Sequence, residues 1–271
     1  MRQQARSMGH AEPVFFRGSQ DRDASGLRRH AGGTHTSRTI MVRELGRVLE
    51  LPSPPEDRVG YAHAIVEENL LGKDTHATRR LTNTRLGELY LLNPEVRAFR
   101  FLRTLAYQDP AAVPLLALLL ALGRDPLLRA SAQVVLPLDE GQELSRTALQ
   151  TAIRNGADDR LKPEIQQKVA RNVASSWTQS GHLTGRTFKT RRFVEPQPAA
   201  VVMALWLATQ AGFSDTEALT SGWTMALDCG YRRALDLAIA ARRLRLLDVY
   251  VAENVVSLDF GPLERLSGGP R

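Results

Sequence analysis

Nine cations fall within residues 150–193, namely Arg154, Arg160, Lys162, Lys168, Arg171, Arg186, Lys189, Arg191 and Arg192. Three acids, Asp158, Asp159 and Glu164, lie among them, so this stretch carries +6 of a formal net charge of +7. Such a cluster can neutralise phosphates and displace their counterions. A charge run is more often only a solvated face, but two features shift the balance here. After Pro163 the residues repeat at roughly 100° each. Ile165, Val169, Val173 and Trp177 fall on one side, and Lys168, Arg171, Asn172, Ser175 and Gln179 on the other, with no acid on that second side. Cations, amides and small hydroxyls are the groups that reach phosphates and base edges in a groove. The segment His182 to Val194 follows directly, with Thr, Phe and Val favouring strand and Arg186, Lys189, Arg191 and Arg192 spaced for a ribbon. A groove helix followed by a basic hairpin is the outline of a winged-helix element. Trp177 and Phe193 are placed either to stack on unpaired bases or to pack helix against hairpin, and packing is the expected use.

Other residue types offer little chemistry. Gly72-Lys73 lacks the rest of a phosphate loop, with Glu67 where a glycine is needed and Asp74 where Ser or Thr is needed. Lys73, Arg79 and Arg80 are then either a small phosphate-contacting patch or solvated. The histidines at 10, 30, 35, 63, 76 and 182 include no pair at helical ligand spacing. Cys229 is alone, which excludes an internal disulfide and suits a small buried hydrophobe. No nucleophile elbow and no distinctive carboxylate pair occurs, and Asp228, Asp236 and Asp248 read as helix-surface or capping groups. The expectation is a non-enzymatic chain without cofactor or metal.

The elements that must position the cations are mostly helical. The 271 residues are 43% hydrophobic and 24% charged, an ordinary globular composition. Residues 1–36 hold six arginines, three acids and no period, and are expected to form a disordered basic tail. A helical subdomain over 37–137 and a second over 138–260 are expected, followed by a frayed end at 261–271. Ser37 is the expected cap of the first helix and Thr75 of the third, which contains Leu81, Leu86, Leu89 and Tyr90; Val59 is expected inward on the second. Further helices are expected at 140–155, 163–180, 197–211, 215–228 and 231–245. The total is about ten, with strands only near Leu183–Val194 and Val249–Leu258. The fold class is mainly α, a compact multi-helix protein with a basic winged-helix-like hairpin near 183–194. The longest apolar run, Ala111 to Leu122, is broken by Pro114 and falls short of the roughly 20 residues of a membrane span. A cytoplasmic location is expected.

Three blocks carry a resemblance. They are Ser37-Arg38, Glu67-Glu68-Asn69-Leu70-Leu71-Gly72-Lys73 with Thr78-Arg79-Arg80, and Ser175-Ser176-Trp177 leading into the basic hairpin. Through them the chain resembles, from about residue 37 to 260, the BrxA family, the NusB-like accessory proteins of BREX phage-defence systems. The resemblance implies a helical protein without known enzymatic activity that binds double-stranded DNA. It would work beside an ATPase, a methyltransferase and an alkaline-phosphatase-like protein. Carried onto this sequence, DNA contact falls on Arg38, Lys73, Arg79 and Arg80, then Arg171, Asn172, Ser175 and the hairpin cations. Two alternatives remain at this stage: a NusB-like RNA-binding protein, and an interaction scaffold whose basic face meets an acidic partner.

Overall fold

Apolar residues at helical spacing account for most of this chain, and two hairpins among the described residues are antiparallel and isolated from each other. The computed structural model describes residues 12–18, 25–30, 33–157, 162–253 and 255–268. Helices α1 (Val42–Leu49), α2 (Arg58–Val66), α3 (His76–Tyr90), α4 (Arg97–Gln108), α5 (Val113–Arg124) and α6 (Pro126–Val135) come first. Then follow α7 (Arg146–Gly156), α8 (Pro163–Gln179) and a hairpin of β1 (Leu183–Thr184) and β2 (Thr190–Arg191). The chain closes with α9 (Pro198–Gln210), α10 (Asp215–Ala218), α11 (Gly222–Met225), α12 (Tyr231–Arg243), the hairpin β3 (Asp248–Ala252) and β4 (Val255–Asp259), and α13 (Gly261–Leu266).

A helix that is apolar all round has no face to give to water and must be enclosed. Helices α5 and α9 are of this kind: Leu115 through Gly123 and Ala199 through Ala208 are buried. They pack on one another, and α9 also meets α4, α11 and α12. Phe101 of α4 meets Trp206 of α9 edge-on, with ring centroids 5.0 Å apart. One core therefore runs from Phe15 to Leu263 and crosses the boundary expected at 137. No single helix among the described residues is long and apolar enough to cross a membrane.

Where it is described, the segment before residue 37 is built into this core and is not a loose tail. Phe15 is buried edge-on against Trp223, centroid to centroid 5.2 Å, and the Trp223 indole N–H donates to the Phe15 carbonyl at 2.8 Å. The Gly222 N–H donates to the Val14 carbonyl at 2.7 Å. A Cβ at Gly222 would meet that same carbonyl, so the close approach requires glycine. Arg124 donates from Nε to the Glu88 carbonyl at 2.7 Å and from Nη1 to the Gly26 carbonyl. Arg129 donates to the carbonyls of Leu122, at 2.7 Å, and Arg29. The remainder of the expected tail, residues 1–11, 19–24 and 31–32, lies outside the described residues.

Several local expectations shift for identifiable reasons. Thr75 does cap α3, accepting from the Thr78 N–H at 3.2 Å. Ser37 does not cap α1; the helix starts at Val42, whose N–H donates to Gln179 Oε1 of α8 at 3.1 Å. Val59, expected inward, is exposed. The expected helix over 140–155 begins only at Arg146, because Gly141 to Leu144 pair with β2 instead. Gly141 N donates to the Arg191 carbonyl at 2.8 Å, Arg191 N to that of Gln142 at 2.9 Å, and Leu144 N to that of Lys189 at 2.7 Å. The helix expected at 215–228 is two, α10 and α11, the first closed by a Ser214–Glu217 capping box. The end expected to fray forms α13, with Leu263 buried and Glu264 paired to Arg97 at 2.6 Å; residues 269–271 lie outside the described residues.

Truncating Phe15 tests whether the N-terminal segment belongs to the core. Phe15→Ala is expected to cost about 3 kcal/mol in urea denaturation, the usual range for a buried phenylalanine. A loose tail would give no change.

Candidate nucleic-acid interface

Helix α8 is the centre of the basic region, and its buried side follows the 3.6-residue period. Val169, Val173 and Trp177 are fully enclosed. The Trp177 indole N–H donates to Ser131 Oγ at 2.7 Å, and its ring meets His182 edge-on at 5.0 Å. Ile165, expected on this side, is exposed in the first turn. The opposite side is rotated from the expected one. Asn172 Nδ2 donates to the His35 carbonyl at 2.8 Å, and Gln179 bonds Thr39 Oγ1 at 2.9 Å besides capping α1. Both are half-buried under residues 34–42, and neither faces a ligand. The open stripe consists of Glu164, Gln167, Lys168, Arg171 and the half-buried Ser175, three and four residues apart. Glu164 places one acid on it, in the first turn, where a carboxylate suits the helix dipole.

Three buried groups hold this orientation. Asp125 Oδ2 accepts from His35 N at 3.2 Å and lies 2.9 Å from Nδ1, while Oδ1 accepts from the Leu127 and Leu128 N–H groups at the start of α6. His35 Nε2 lies 2.8 Å from Ser176 Oγ, which also accepts from Ile40 N at 3.0 Å and bonds the Asn172 carbonyl. The order carboxylate, imidazole, hydroxyl is that of a hydrolytic triad. All three side chains are at most 1% exposed, so no substrate reaches the hydroxyl and the chain of bonds acts as a brace. Burial raises the Asp125 carboxyl, and the adjacent His35 more than reverses this, leaving it below the usual carboxylate range.

The hairpin holds the second group of expected contacts, and one of them is corrected. Arg191 is fully buried, its guanidinium bonded to Asp228 and to the Arg192 carbonyl and lying 5.0 Å over the Phe193 ring. Asp228, expected on a helix surface, also accepts from Val194 N at 2.7 Å. Arg191 is therefore the anchor of the hairpin and contacts no polyanion. Trp177 and Phe193 are taken up by packing in the same way. Arg186 and Arg192 are exposed, and Lys189 is half-buried with Nζ on the Gly185 carbonyl. The turn needs Gly185, with φ of 96° and no room for a Cβ against the Phe188 carbonyl oxygen.

Between α7, α8 and this hairpin lies a cleft of about 640 Å³. Leu144, Leu149, Ala170 and Ala174 line its floor, and Arg146, Arg171, Arg186 and Lys189 its rim, with Glu143 the one carboxylate among the lining residues. Lys168, Arg171, Arg186 and Arg192 make no ion pair to any described residue. The sequence reading missed Arg146, Gln150 and Gln167. Gln167 shares its side with Arg171 one turn on, which a different phase for α8 would have found. Arg146 became visible only through its bond to the Thr187 carbonyl at 3.0 Å. Asp158, Asp159 and Arg160 lie outside the described residues.

The remaining expected contacts are not gathered here. Lys73 pairs with Glu44 at 2.8 Å, and Arg79 donates to the carbonyls of Lys73 and Val66, closing the loop between α2 and α3. Both are structural. Arg38 is half-buried and donates to the Ser37 carbonyl, whereas Arg80 is exposed on α3. Burial pushes the Cys229 thiol up to about 12, so it carries no thiolate at neutral pH. Among the described residues no three His, Cys, Asp or Glu side chains gather to hold a metal. No protein-family model, curated protein or solved structure matches the chain.

Two measurements check these assignments. Arg191→Ala or Asp228→Ala leaves one buried charge alone and is expected to cost roughly 3–5 kcal/mol in chemical denaturation. Lys168→Ala and Arg171→Ala should stay within about 0.5 kcal/mol of the parent. The second concerns His182, whose Nδ1 and Nε2 lie 2.9 Å from Ser180 Oγ and the Ala226 carbonyl. Burial, with the nearby Arg191 guanidinium, lowers its pKa to about 3. The unfolded chain takes up that proton near pH 6.5 and the folded chain does not, so stability falls as the pH drops through 6.5. By pH 5 the loss reaches about 2 kcal/mol. It should vanish in His182→Gln, narrowing the gap between the two proteins by that amount from pH 7 to pH 5.

Proposed function

We propose that this chain is a non-enzymatic protein that binds duplex DNA, with α8 in the major groove and the β1–β2 hairpin along the flanking backbone. The observation that carries the reading is the basic cleft, in which Arg171 of α8 and Arg186 and Lys189 of the hairpin converge with Arg146 over one surface. Arg171 and Arg186 are exposed and make no ion pair to any described residue, and cations of this kind are the groups that phosphates recruit. Gln167 and Ser175 stand on the same stripe as Arg171 and offer hydrogen bonds to base edges.

The element order supports the same reading. Helix α6, the paired segment Gly141 to Leu144, α7, α8, β1, a turn and β2 follow one another, with the paired segment and β1 on opposite sides of β2. A winged helix is built in this order, and its second helix of the turn is the one that enters the groove. The RNA alternative has less support, since Trp177 and Phe193 are committed to packing. The narrower role, an accessory protein of a BREX-type defence system acting with its ATPase, methyltransferase or alkaline-phosphatase-like components, rests on the resemblance blocks. Of these, Lys73 and Arg79 have internal work.

Fluorescence anisotropy on a duplex of about 25 base pairs at several salt concentrations tests the proposal. Binding should weaken steeply with salt, and each of Lys168→Glu, Arg171→Glu and Arg186→Glu should lower the log–log slope by about 1 or more. Equal binding by the triple variant, or no binding by the parent at low salt, would refute it.

A further inference from the structure

The hairpin presents one residue that neither packing nor backbone contact explains. Phe188 at its tip is 66% exposed, flanked by Arg186 and Lys189. The tip is held on both sides of it. Arg146 of α7 donates to the Thr187 carbonyl at 3.0 Å, and the Lys189 ammonium to the Gly185 carbonyl. The Gly185 turn is so tight that a side chain there would collide with the Phe188 carbonyl oxygen. Below the turn, Arg191 and Asp228 fix the strand to the core. Phe188 is a large apolar side chain held at a fixed point with cations on either side, and a partner that covered it would remove its ring from water. The flanking charge selects a partner whose apolar surface is bordered by anions. Base pairs between phosphates meet that description.

We propose that Phe188 is a wedge that inserts between adjacent base pairs from the minor groove and kinks the duplex. This rests on the DNA-binding reading and adds a specificity to it. Partial unstacking is cheapest at flexible pyrimidine–purine steps such as TA, so the wedge favours those steps without any hydrogen bond to a base. Arg186 and Lys189 then lie against the phosphates on either side of the opened step, where the bend brings the backbone closer. The preference is read from deformability and not from base edges, which leaves direct readout to α8.

The test uses the full chain and a 30-base-pair duplex carrying one central TA step, with 2-aminopurine at the adenine and a donor–acceptor dye pair at the ends. With the parent protein, 2-aminopurine emission should rise severalfold and end-to-end transfer should increase. Phe188→Ala should abolish both while weakening affinity by no more than about tenfold, and Phe188→Leu, a wedge of another shape, should restore them in part. Circular dichroism of Phe188→Ala confirms that the exposed site tolerates truncation. Parent protein that binds tightly yet leaves both signals flat overturns the wedge and spares DNA binding. So does a Phe188→Ala variant that bends DNA as the parent does. Parent protein that fails to bind the duplex while Phe188→Ala loses co-purification with a protein partner overturns both readings and assigns the tip to a protein interface.

Discussion

The fold depends first on the buried contact of Asp125 with His35 and Ser176. Asp125 sits where α5 and α6 meet at a bend of 115°, and its two oxygens serve different elements. One oxygen satisfies the free N–H groups at the head of α6, and the other accepts from His35. His35 in turn reaches Ser176, and the Ile40 N–H donates to the same hydroxyl. Three stretches distant in sequence are thereby fixed to one point: residues 34–40, the α5–α6 bend and the middle of α8. Burying a carboxylate is costly unless every lone pair is used. Here the charge interaction with His35, followed by the hydrogen bonds from His35 and Leu128, overcomes the desolvation, which is why the carboxyl sits below its usual range despite being enclosed. The rotation of α8 about its own axis, and so the stripe it offers to solvent, follows from this contact.

The second constraint is on the hairpin. Strands β1 and β2 contain two residues each, and a ribbon that short has almost no intrinsic stability. Its order comes from elsewhere: the Gly141 to Leu144 segment on the far side of β2, the Arg191–Asp228 pair, and Arg146 reaching the tip. Charged side chains thus have two separate uses in the basic region. Some hold the hairpin in place and are unavailable to any partner, and others project from it. Net charge alone does not distinguish them, because Arg191 and Arg192 count equally in a sum, yet the first is buried and the second exposed.

Much of the architecture was legible in the sequence because it rests on local periodicity. The apolar sides of α5 and α9, the Thr75 cap, the extent of α8 and the positions of both hairpins follow from side chains near one another in the chain. What was not legible depends on remote partners. The period of α8 is clear, but Asn172 and Gln179 were assigned to the wrong side because residues 34–42 cover them, and their polar composition gave no sign of burial. The short run Val14-Phe15-Phe16 and the lone Leu27 lie in a stretch rich in glycine and arginine without helical or strand period, and only Trp223 and Gly123, far along the chain, explain their burial. Arg191 follows the alternation of a strand, Thr190 half-buried, Arg191 buried and Arg192 exposed, yet its partner Asp228 lies 37 residues away. The candidate cleft was half legible: Arg171, Ser175, Arg186 and Lys189 were expected, whereas Arg146 enters from a helix with no basic pattern.

The predominance of arginine over lysine bears on the same division. Lysine occurs at only four positions, Lys73, Lys162, Lys168 and Lys189, and genomic base composition would explain that without any physical consequence. The buried Arg124 and Arg191 and the half-buried Arg129 argue otherwise. Arg124 serves carbonyls of α3 and the N-terminal segment at once, Arg129 serves α5 and that same segment, and Arg191 bonds a carboxylate, a carbonyl and an aromatic face. Each position uses donors diverging from one planar group, which a single ammonium on a flexible stem does not supply. Burial lowers the Arg124 and Arg129 pKa to about 9 and about 10, yet both remain charged at neutral pH. Arginine is therefore required at these three positions, where one side chain must tie several remote groups at once. Three of the four lysines, Lys162, Lys168 and Lys189, border α8 and the hairpin on exposed or half-buried surface, and Lys73 pairs with Glu44; none of them ties remote backbone through diverging donors.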